Sequence, residues 1–326
     1  MKLPLKYLFM RLNKLAAALA ALSAAVTLSV APAMAQSSSS SSGLGQQLSS
    51  NPEMAQQLSS AITQAVPNTT AAASTSNRKS VSVFGQGSRE YILQLPAGIN
   101  SGGTYPVIFS FGGAEHTAQR TKDYMRFDEV AGNDAIIVYP EGRGAFWEGP
   151  TYAQTSRGED VDFVRSILNQ LRANYNVDNS RVYAAGLSNG GGMALSLACQ
   201  APDVFSAVAS VAGAYYTPVT SGCSAGNVST LIMHGTNDNH MTWAGGIGTG
   251  GLYNSVDATF RNVGDRNDCN LNSTTTSTSG RSEIKSYKGC DRGGDTVLQK
   301  VNGGGHTWFT SDPHATRTVW NFLRSR

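Results

Sequence analysis

The chain has only four cysteines in 326 residues, and no two of them form a Cys-x-x-Cys pair. It therefore lacks the thiolate spacing that holds a structural metal ion. Beyond residue 30 no apolar run is long enough to cross a bilayer. An excess of either charge is also missing, since 25 Lys and Arg face 22 Asp and Glu. Four of the basic residues, Lys2, Lys6, Arg11 and Lys14, fall within residues 1–35, where there is no acidic residue, so removing that stretch takes the formal charge from +3 to −1. Nucleic acid and anionic membrane surfaces are accordingly not expected as partners.

What is present at the N-terminus is a basic start, an apolar, alanine-rich run from Leu15 to Val30, and Ala33-Met34-Ala35 before Gln36. This is the pattern of a signal peptide cleaved after Ala35, and the run is short for the competing reading, a membrane anchor. Residues 36–80 follow with six consecutive serines, Ser37 to Ser42, and a repeat in which Gln46-Gln47-Leu48-Ser49-Ser50 returns as Gln56-Gln57-Leu58-Ser59-Ser60. Such composition buries little apolar surface, which predicts a largely disordered tether with at most a short helix at 52–66. A spacing or wall-attachment arm is the functional alternative. Residues 81–326 are expected to form one catalytic domain, of a size usual for a single core.

Within that domain, strand-like runs at Tyr91–Leu95, Val107–Phe111, Ala135–Tyr139, Arg181–Ala185, Ala207–Val211, Thr230–His234 and Thr296–Val301 alternate with helical stretches. The alternation predicts an α/β fold with a mostly parallel central sheet covered by helices on both faces. Helices are clearest at 160–174, where Val164, Ile167, Leu168 and Leu171 recur at helical spacing, and at 313–324.

The pentapeptide Gly186-Leu187-Ser188-Asn189-Gly190 directly follows the run Arg181–Ala185. A serine between two glycines at the end of a strand is the nucleophile elbow of a serine hydrolase, because the turn is too tight for side chains two residues either side of the serine. The Gly190-Gly191-Gly192 run is poor helix material, which points to close packing. A hydroxyl is a weak nucleophile at neutral pH and needs a neutral imidazole, held by a carboxylate, to take its proton. Asp238, after the strand Thr230–His234, and His306, in the loop Gly303-Gly304-Gly305-His306-Thr307-Trp308, complete the chain order serine, acid, histidine. For the oxyanion hole, the backbone N–H of Asn189 is one candidate donor, with Gly113 and Ala114 in the loop after Ile108–Phe111 as the others.

Each assignment has rivals. His116, His234, His240 and His314 compete with His306; His234, at a strand end, reads as a packed or hydrogen-bonded residue. Asp160 and Asp162 open an amphipathic helix, where carboxylates cap the N-terminus.

The segments Tyr105–Phe111, Asp160–Val164, Gly186–Met193, His234–Asp238 and Gly303–Trp308, in this order across residues 85 to 326, resemble the secreted feruloyl esterase, acetyl xylan esterase and polyhydroxybutyrate depolymerase family. The resemblance implies an α/β-hydrolase domain that cleaves carboxylic esters, with Ser188, Asp238 and His306 on the family's triad positions and no metal or organic cofactor. One departure stands out. Similar enzymes usually carry His-Gly after the strand leading to the oxyanion loop, whereas this chain has Gly112-Gly113, then Ala114-Glu115-His116. Glu115 or His116 could line the cleft there, though an exposed loop position is the ordinary fate of each.

An even number of cysteines in a chain expected to be exported reads as disulfides, for which three pairings exist. Sequential pairing, Cys199 with Cys223 and Cys269 with Cys290, closes the shortest loops and is similar to the pattern in related esterases. The second loop would pin the Ser/Thr-rich insertion 270–280, expected as an exposed excursion. Trp147, Trp243 and Trp308 are candidates for an aromatic wall around a feruloyl or sugar ring, weighed against ordinary core tryptophans. The expected partner is an ester substrate, an acylated polysaccharide or a polyester. An acyltransferase and a noncatalytic secreted binding protein are the alternative readings. Asn-x-Ser/Thr sequons at Asn68, Asn227 and Asn272 carry little weight in a chain this rich in Ser and Thr.

Overall fold

The structure, a computed structural model, describes residues 77–291 and 293–326. The expected leader 1–35, nearly all of the expected tether 36–80, the short helix at 52–66 and the sequon at Asn68 lie outside the described residues. In chain order the elements are β1 (Arg78–Val83), β2 (Gly87–Gln94), β3 (Tyr105–Phe111), α1 (Ala118–Met125), α2 (Asp128–Ala131), β4 (Ile136–Pro140), α3 (Glu159–Asn174), β5 (Val177–Leu187), α4 (Asn189–Gln200), β6 (Ala207–Val211), β7 (Ser229–Gly235), β8 (Gly246–Gly248), β9 (Gly251–Tyr253), α5 (Val256–Arg266), β10 (Asn270–Ser279), β11 (Ser282–Lys288), β12 (Thr296–Val301) and α6 (Ala315–Leu323).

Ten of these strands form one sheet in the order β1-β2-β4-β3-β5-β6-β7-β12-β11-β10. The six central strands, from β4 to β12, run parallel, and an antiparallel pair closes each edge. The central strands read as near-continuous apolar runs because both of their faces are covered. Side chains alternate between two cores. Val107, Phe109 and Phe111 of β3 join one cluster with Val164, Ile167 and Leu168 of α3, Met193 and Leu195 of α4 and Phe260 of α5. Ile108 of β3 points to the other, with Met125 of α1, Ala131 of α2 and Val319 and Leu323 of α6. The α3 stripe Val164, Ile167, Leu168 and Leu171 is buried along its length, so its helical period reflects packing.

All seven strands read from the sequence are present; the edge strands β1, β10 and β11 and the small β8–β9 hairpin were not legible. β1 begins at Arg78, inside the range 36–80, because a polar, alternating segment can pair along an edge while facing water. The insertion 270–280 is exposed, but as edge strand β10 rather than as irregular loop; its threonines suit a pleated edge. At the C-terminus, the extended backbone of His314 delays the helix to Ala315.

Cys199, at the end of α4, is joined to Cys223, and Cys269 to Cys290. The second bridge ties together the open ends of the β10–β11 hairpin. Closing loops with sequence separations of 24 and 21 residues removes freedom from the unfolded chain worth roughly 3 kcal/mol each. Replacing Cys269 and Cys290 together by serine should lower the unfolding free energy by about 3 kcal/mol in urea titration. An unchanged midpoint at an unchanged slope would contradict that.

Candidate active site

β5 ends in a turn at Ser188, whose φ of 54° and ψ of −119° lead straight into α4. Glycine is required on both sides. A Cβ on Gly186 would overlap the carbonyl of Gly190, and one on Gly190 would overlap the carbonyls of Phe111 and Gly112. Gly191 and Gly192 likewise lie against Gly213 and the Ala214 carbonyl, so the glycine run serves close packing at a cost in helix propensity.

The Ser188 hydroxyl lies 2.8 Å from His306 Nε2, and His306 Nδ1 lies 2.8 Å from Asp238 Oδ2. An ionised carboxylate only accepts, so Nδ1 carries the proton and the bare Nε2 accepts from the serine hydroxyl. Two parallel neighbours, β7 and β12, deliver the acid and the base from their C-terminal ends. The two loops are locked together: Asn237 N–H donates to the Gly304 carbonyl at 2.9 Å and Gly303 N–H to the Thr236 hydroxyl at 2.9 Å.

Asp238 is buried and nearly saturated. Its Oδ1 accepts the backbone N–H groups of His240 and Met241 at 2.9 and 2.8 Å. Its Oδ2 faces His306 and, at 3.3 Å, Nε2 of His234. Burial pushes the Asp238 carboxyl upward, but the hydrogen bonds from His234 and His306 outweigh it and hold the group well below the usual carboxylate range. His234 is fully buried. Its Nε2 must donate, because the Met241 carbonyl at 2.8 Å only accepts, and its Nδ1 then accepts from the Tyr215 hydroxyl at 3.2 Å. His234 thus supports the acid, a contribution that its place at a strand end gave no means of reading.

The structure also places the rivals. Asp160 is completely buried and receives Arg89 at 2.7 Å, the Thr155 hydroxyl at 2.7 Å and the Glu148 N–H at 2.8 Å. It does not cap α3; Glu148 does, accepting from the N–H groups of Gly158 and Asp160. Asp162 is exposed, His240 lies over His306 with ring centroids 5.1 Å apart, and His314 precedes α6.

Of the candidate oxyanion residues, Gly113 and Asn189 adjoin Ser188, and Ala114 lines the same cleft. Gly113 runs so close that a Cβ there would sit 3.4 Å from the Ser188 Cβ. In the same loop Glu115 N–H is engaged by the Ala145 carbonyl and His116 N–H by the Gly113 carbonyl. Asn189 heads α4, so its N–H has no partner within the helix and lies at the positive end of the helix dipole. Gly112 has no room for a side chain, since a Cβ would overlap the Thr121 hydroxyl and lie 2.6 Å from the His116 Cβ. The loop is braced by Trp147. Its Nε1–H donates to the Gly112 carbonyl at 3.0 Å, and its backbone exchanges hydrogen bonds with the Asn189 side chain at 2.8 and 3.2 Å.

Ser188 and His306 open into a cleft of about 1470 Å³. The expected tryptophan wall is corrected here: none of Trp147, Trp243 and Trp308 lines it. Trp147 and Trp308 are buried, the first edge-on to Phe111 and the second edge-on to Phe127 with its N–H on Thr316. Trp243 lies behind the acid, edge-on to His234, with its N–H on Asp257. Sequence shows that a ring is present but not which way it faces. The cleft's aromatic rings come from Phe146, Tyr152, Tyr216 and Tyr124, and both Glu115 and His116 line it.

A family model described as "Putative esterase" matches residues 82–268. Feruloyl esterase D of Neurospora crassa is 30% identical over 261 residues, covering 72% of this chain and 81% of that protein. Feruloyl esterase C of Emericella nidulans is 32% identical over 167 residues, 49% of this chain, and the match spans 58% of that relative's length. Among solved structures, an acetyl xylan esterase from Aspergillus awamori superimposes with a TM-score of 0.56 at 15% identity, covering 75% of this chain and 99% of that one. With the mostly parallel sheet and helices on both faces, that likeness shows the α/β-hydrolase fold.

Because its carboxyl is depressed in the folded state, Asp238 stabilises the fold fully above the unfolded value of about 3.9, and loses that contribution as pH falls through the lower folded value. Urea midpoints of the native protein and of Asp238→Asn should therefore differ most near neutrality and converge progressively below about pH 4. A gap that stays constant to pH 2 would show that the carboxylate's charge is not what stabilises it.

Proposed function

The chain belongs to the esterase family, and from that premise we propose that it is a secreted serine esterase hydrolysing feruloyl or acetyl esters of plant polysaccharide through an acyl-enzyme on Ser188. The observation that carries this reading is the unbroken relay from Asp238 through His306 to Ser188, with both hydrogen bonds at 2.8 Å, at the floor of an open cleft. Export is supported by the leader-like residues 1–35 together with two disulfides.

In the first half-reaction the Ser188 oxygen attacks the ester carbonyl carbon as its proton passes to His306 Nε2. Negative charge gathers on the carbonyl oxygen, where the N–H of Asn189 and those of the Gly113–Ala114 loop serve as donors. Asp238 stabilises the imidazolium without taking its proton. The tetrahedral intermediate collapses, its bond to the alkoxy oxygen breaks, and His306 returns the proton to the departing alcohol. Water, deprotonated by the same imidazole, then attacks the acyl carbon; the bond to Ser188 Oγ breaks, His306 returns the proton to that oxygen, and the acid departs.

For the acyl group, the rings of Phe146, Tyr152 and Tyr216 form a continuous wall, with neighbouring centroids 5.2 and 6.1 Å apart, suited to a planar aromatic acid. A second reading, a polyester depolymerase with the same relay, is favoured by the β8–β9 hairpin. Ile247 and Leu252 face one another across it, 84% and 60% exposed, beside the cleft-lining Gly248 and Thr249. Such a pair could rest on an apolar polymer.

Ser188→Ala should abolish turnover of methyl ferulate or acetylated xylan with little change in thermal unfolding, and Asp238→Asn should lower kcat by about 10⁴-fold through the wrong imidazole tautomer. Assays on methyl ferulate, acetylated xylan and short-chain polyhydroxybutyrate separate the two readings. Ester turnover persisting in Ser188→Ala, or a folded native protein silent on all three, would defeat the assignment.

A further inference from the structure

The turn after β7 sets a second imidazole beside the first, and, resting on the esterase reading, we propose that His240 is a positioning residue whose ring stabilises the His306 imidazolium formed in each half-reaction. The two rings have centroids 5.1 Å apart and planes tilted by 42°, and both residues line the cleft.

The Asp238 carboxylate holds both residues, one on each oxygen. Oδ2 accepts from His306 Nδ1 at 2.8 Å, while Oδ1 accepts the backbone N–H groups of His240 at 2.9 Å and Met241 at 2.8 Å. Residue 240 is thus fixed through its backbone whatever side chain it carries, and its ring is exposed, so core packing does not require an imidazole there. Of the other titratable groups near His306, Asp238 and, behind it, His234 come from β7 and the turn after it. Glu115, His116, Arg120, Asp123 and Tyr124 reach the cleft from the loop before α1 and from α1, and Tyr152 and Tyr216 also line it. Among the described residues only Asp238 forms an ion pair with His306.

His306 is neutral when it takes the Ser188 proton and cationic in the tetrahedral intermediate. Asp238 offsets that charge from the Nδ1 edge. A cation within about 6 Å of an aromatic ring centroid is attracted to the ring's electron-rich face, and His240 meets that distance. The sign reverses when His240 itself gains a proton, because two cations then stand side by side. Imidazoles change charge between about pH 5 and 8, so the neutral ring assists cleavage towards mildly alkaline pH, and a proton on it opposes cleavage. Support for the imidazolium has a second effect, since it also stabilises the resting enzyme with His306 already protonated, which is inactive. Where that form dominates, the two effects cancel in kcat/KM.

The test is the pH dependence of kcat/KM, from about pH 4.5 to 8, on methyl ferulate and phenyl acetate, for the native protein, His240→Ala, His240→Phe and His240→Arg. At the upper end His240→Ala should lower kcat/KM about threefold and His240→Arg about tenfold, with His240→Phe, which keeps a ring, above His240→Ala. In acid the four curves should converge, so the acid limb of His240→Ala lies about half a pH unit below the native one and that of His240→Arg about one pH unit below. Variants that match the native protein throughout, or that fall below it by one constant factor at every pH as a merely structural lesion would, overturn the role. Turnover by the native protein reports separately on the underlying reading: its absence with both esters removes the esterase assignment, and the support of His306 with it.

Discussion

The backbone at Ser188 is the constraint on which the site depends. A residue with a side chain at φ 54° and ψ −119° is strained by an amount of order 1–3 kcal/mol, and such a conformation persists only where its surroundings over-determine it. Here they do. The Ser188 N–H is held by the Val211 carbonyl of β6 and its carbonyl by the N–H groups of Gly192 and Ala214, while glycines admit β3 and α4 to within contact of the turn. The same geometry aims the serine hydroxyl out of the sheet and sets the N-terminus of α4 behind it, so one strained residue positions both nucleophile and helix dipole.

Around that turn, two sets of buried polar groups are paired into networks. Arg89 and Asp160 form an ion pair that is almost wholly enclosed. Asp160 accepts from the backbone of Glu148, Glu148 holds the start of α3, and the preceding Trp147 is bonded to Asn189 and Gly112. Breaking a buried pair leaves an uncompensated charge, so the network resists partial disruption. Its position suggests a reason for an ion pair where an apolar core would serve stability as well: it fixes the two segments that carry the candidate oxyanion donors. On the acid side, Tyr215, His234 and the N–H groups of His240 and Met241 do the same for Asp238.

What was legible in the sequence was what short-range chemistry dictates. The glycines about Ser188 are demanded by steric contact within five residues, and the order of Ser188, Asp238 and His306 is set by strand order in the sheet, so both left marks in the chain. The apolar runs of β3, β4, β6 and β7 announced burial on two faces. Orientation left no such mark. Trp147, Trp243 and Trp308 looked like cleft rings because they neighbour site segments, yet all three stand behind the site and support it, while the unremarked Phe146, Tyr152 and Tyr216 face the cleft. Gly112 read only as a departure from the resembled family; the three-dimensional contacts show His116 and Thr121 filling its space and Trp147 holding its carbonyl. Edge strands such as β10 were missed because an exposed, threonine-rich ladder has no apolar period to read.

On this mechanism a single serine, activated through His306, becomes covalently acylated. The most direct measurement is mass spectrometry of the protein after brief exposure to a fluorophosphonate ester, which traps an activated serine. One adduct per chain should form, mapped to the peptide carrying Ser188 and absent from both Ser188→Ala and His306→Ala. Adducts on another residue, or none from a protein that turns over esters, would contradict it.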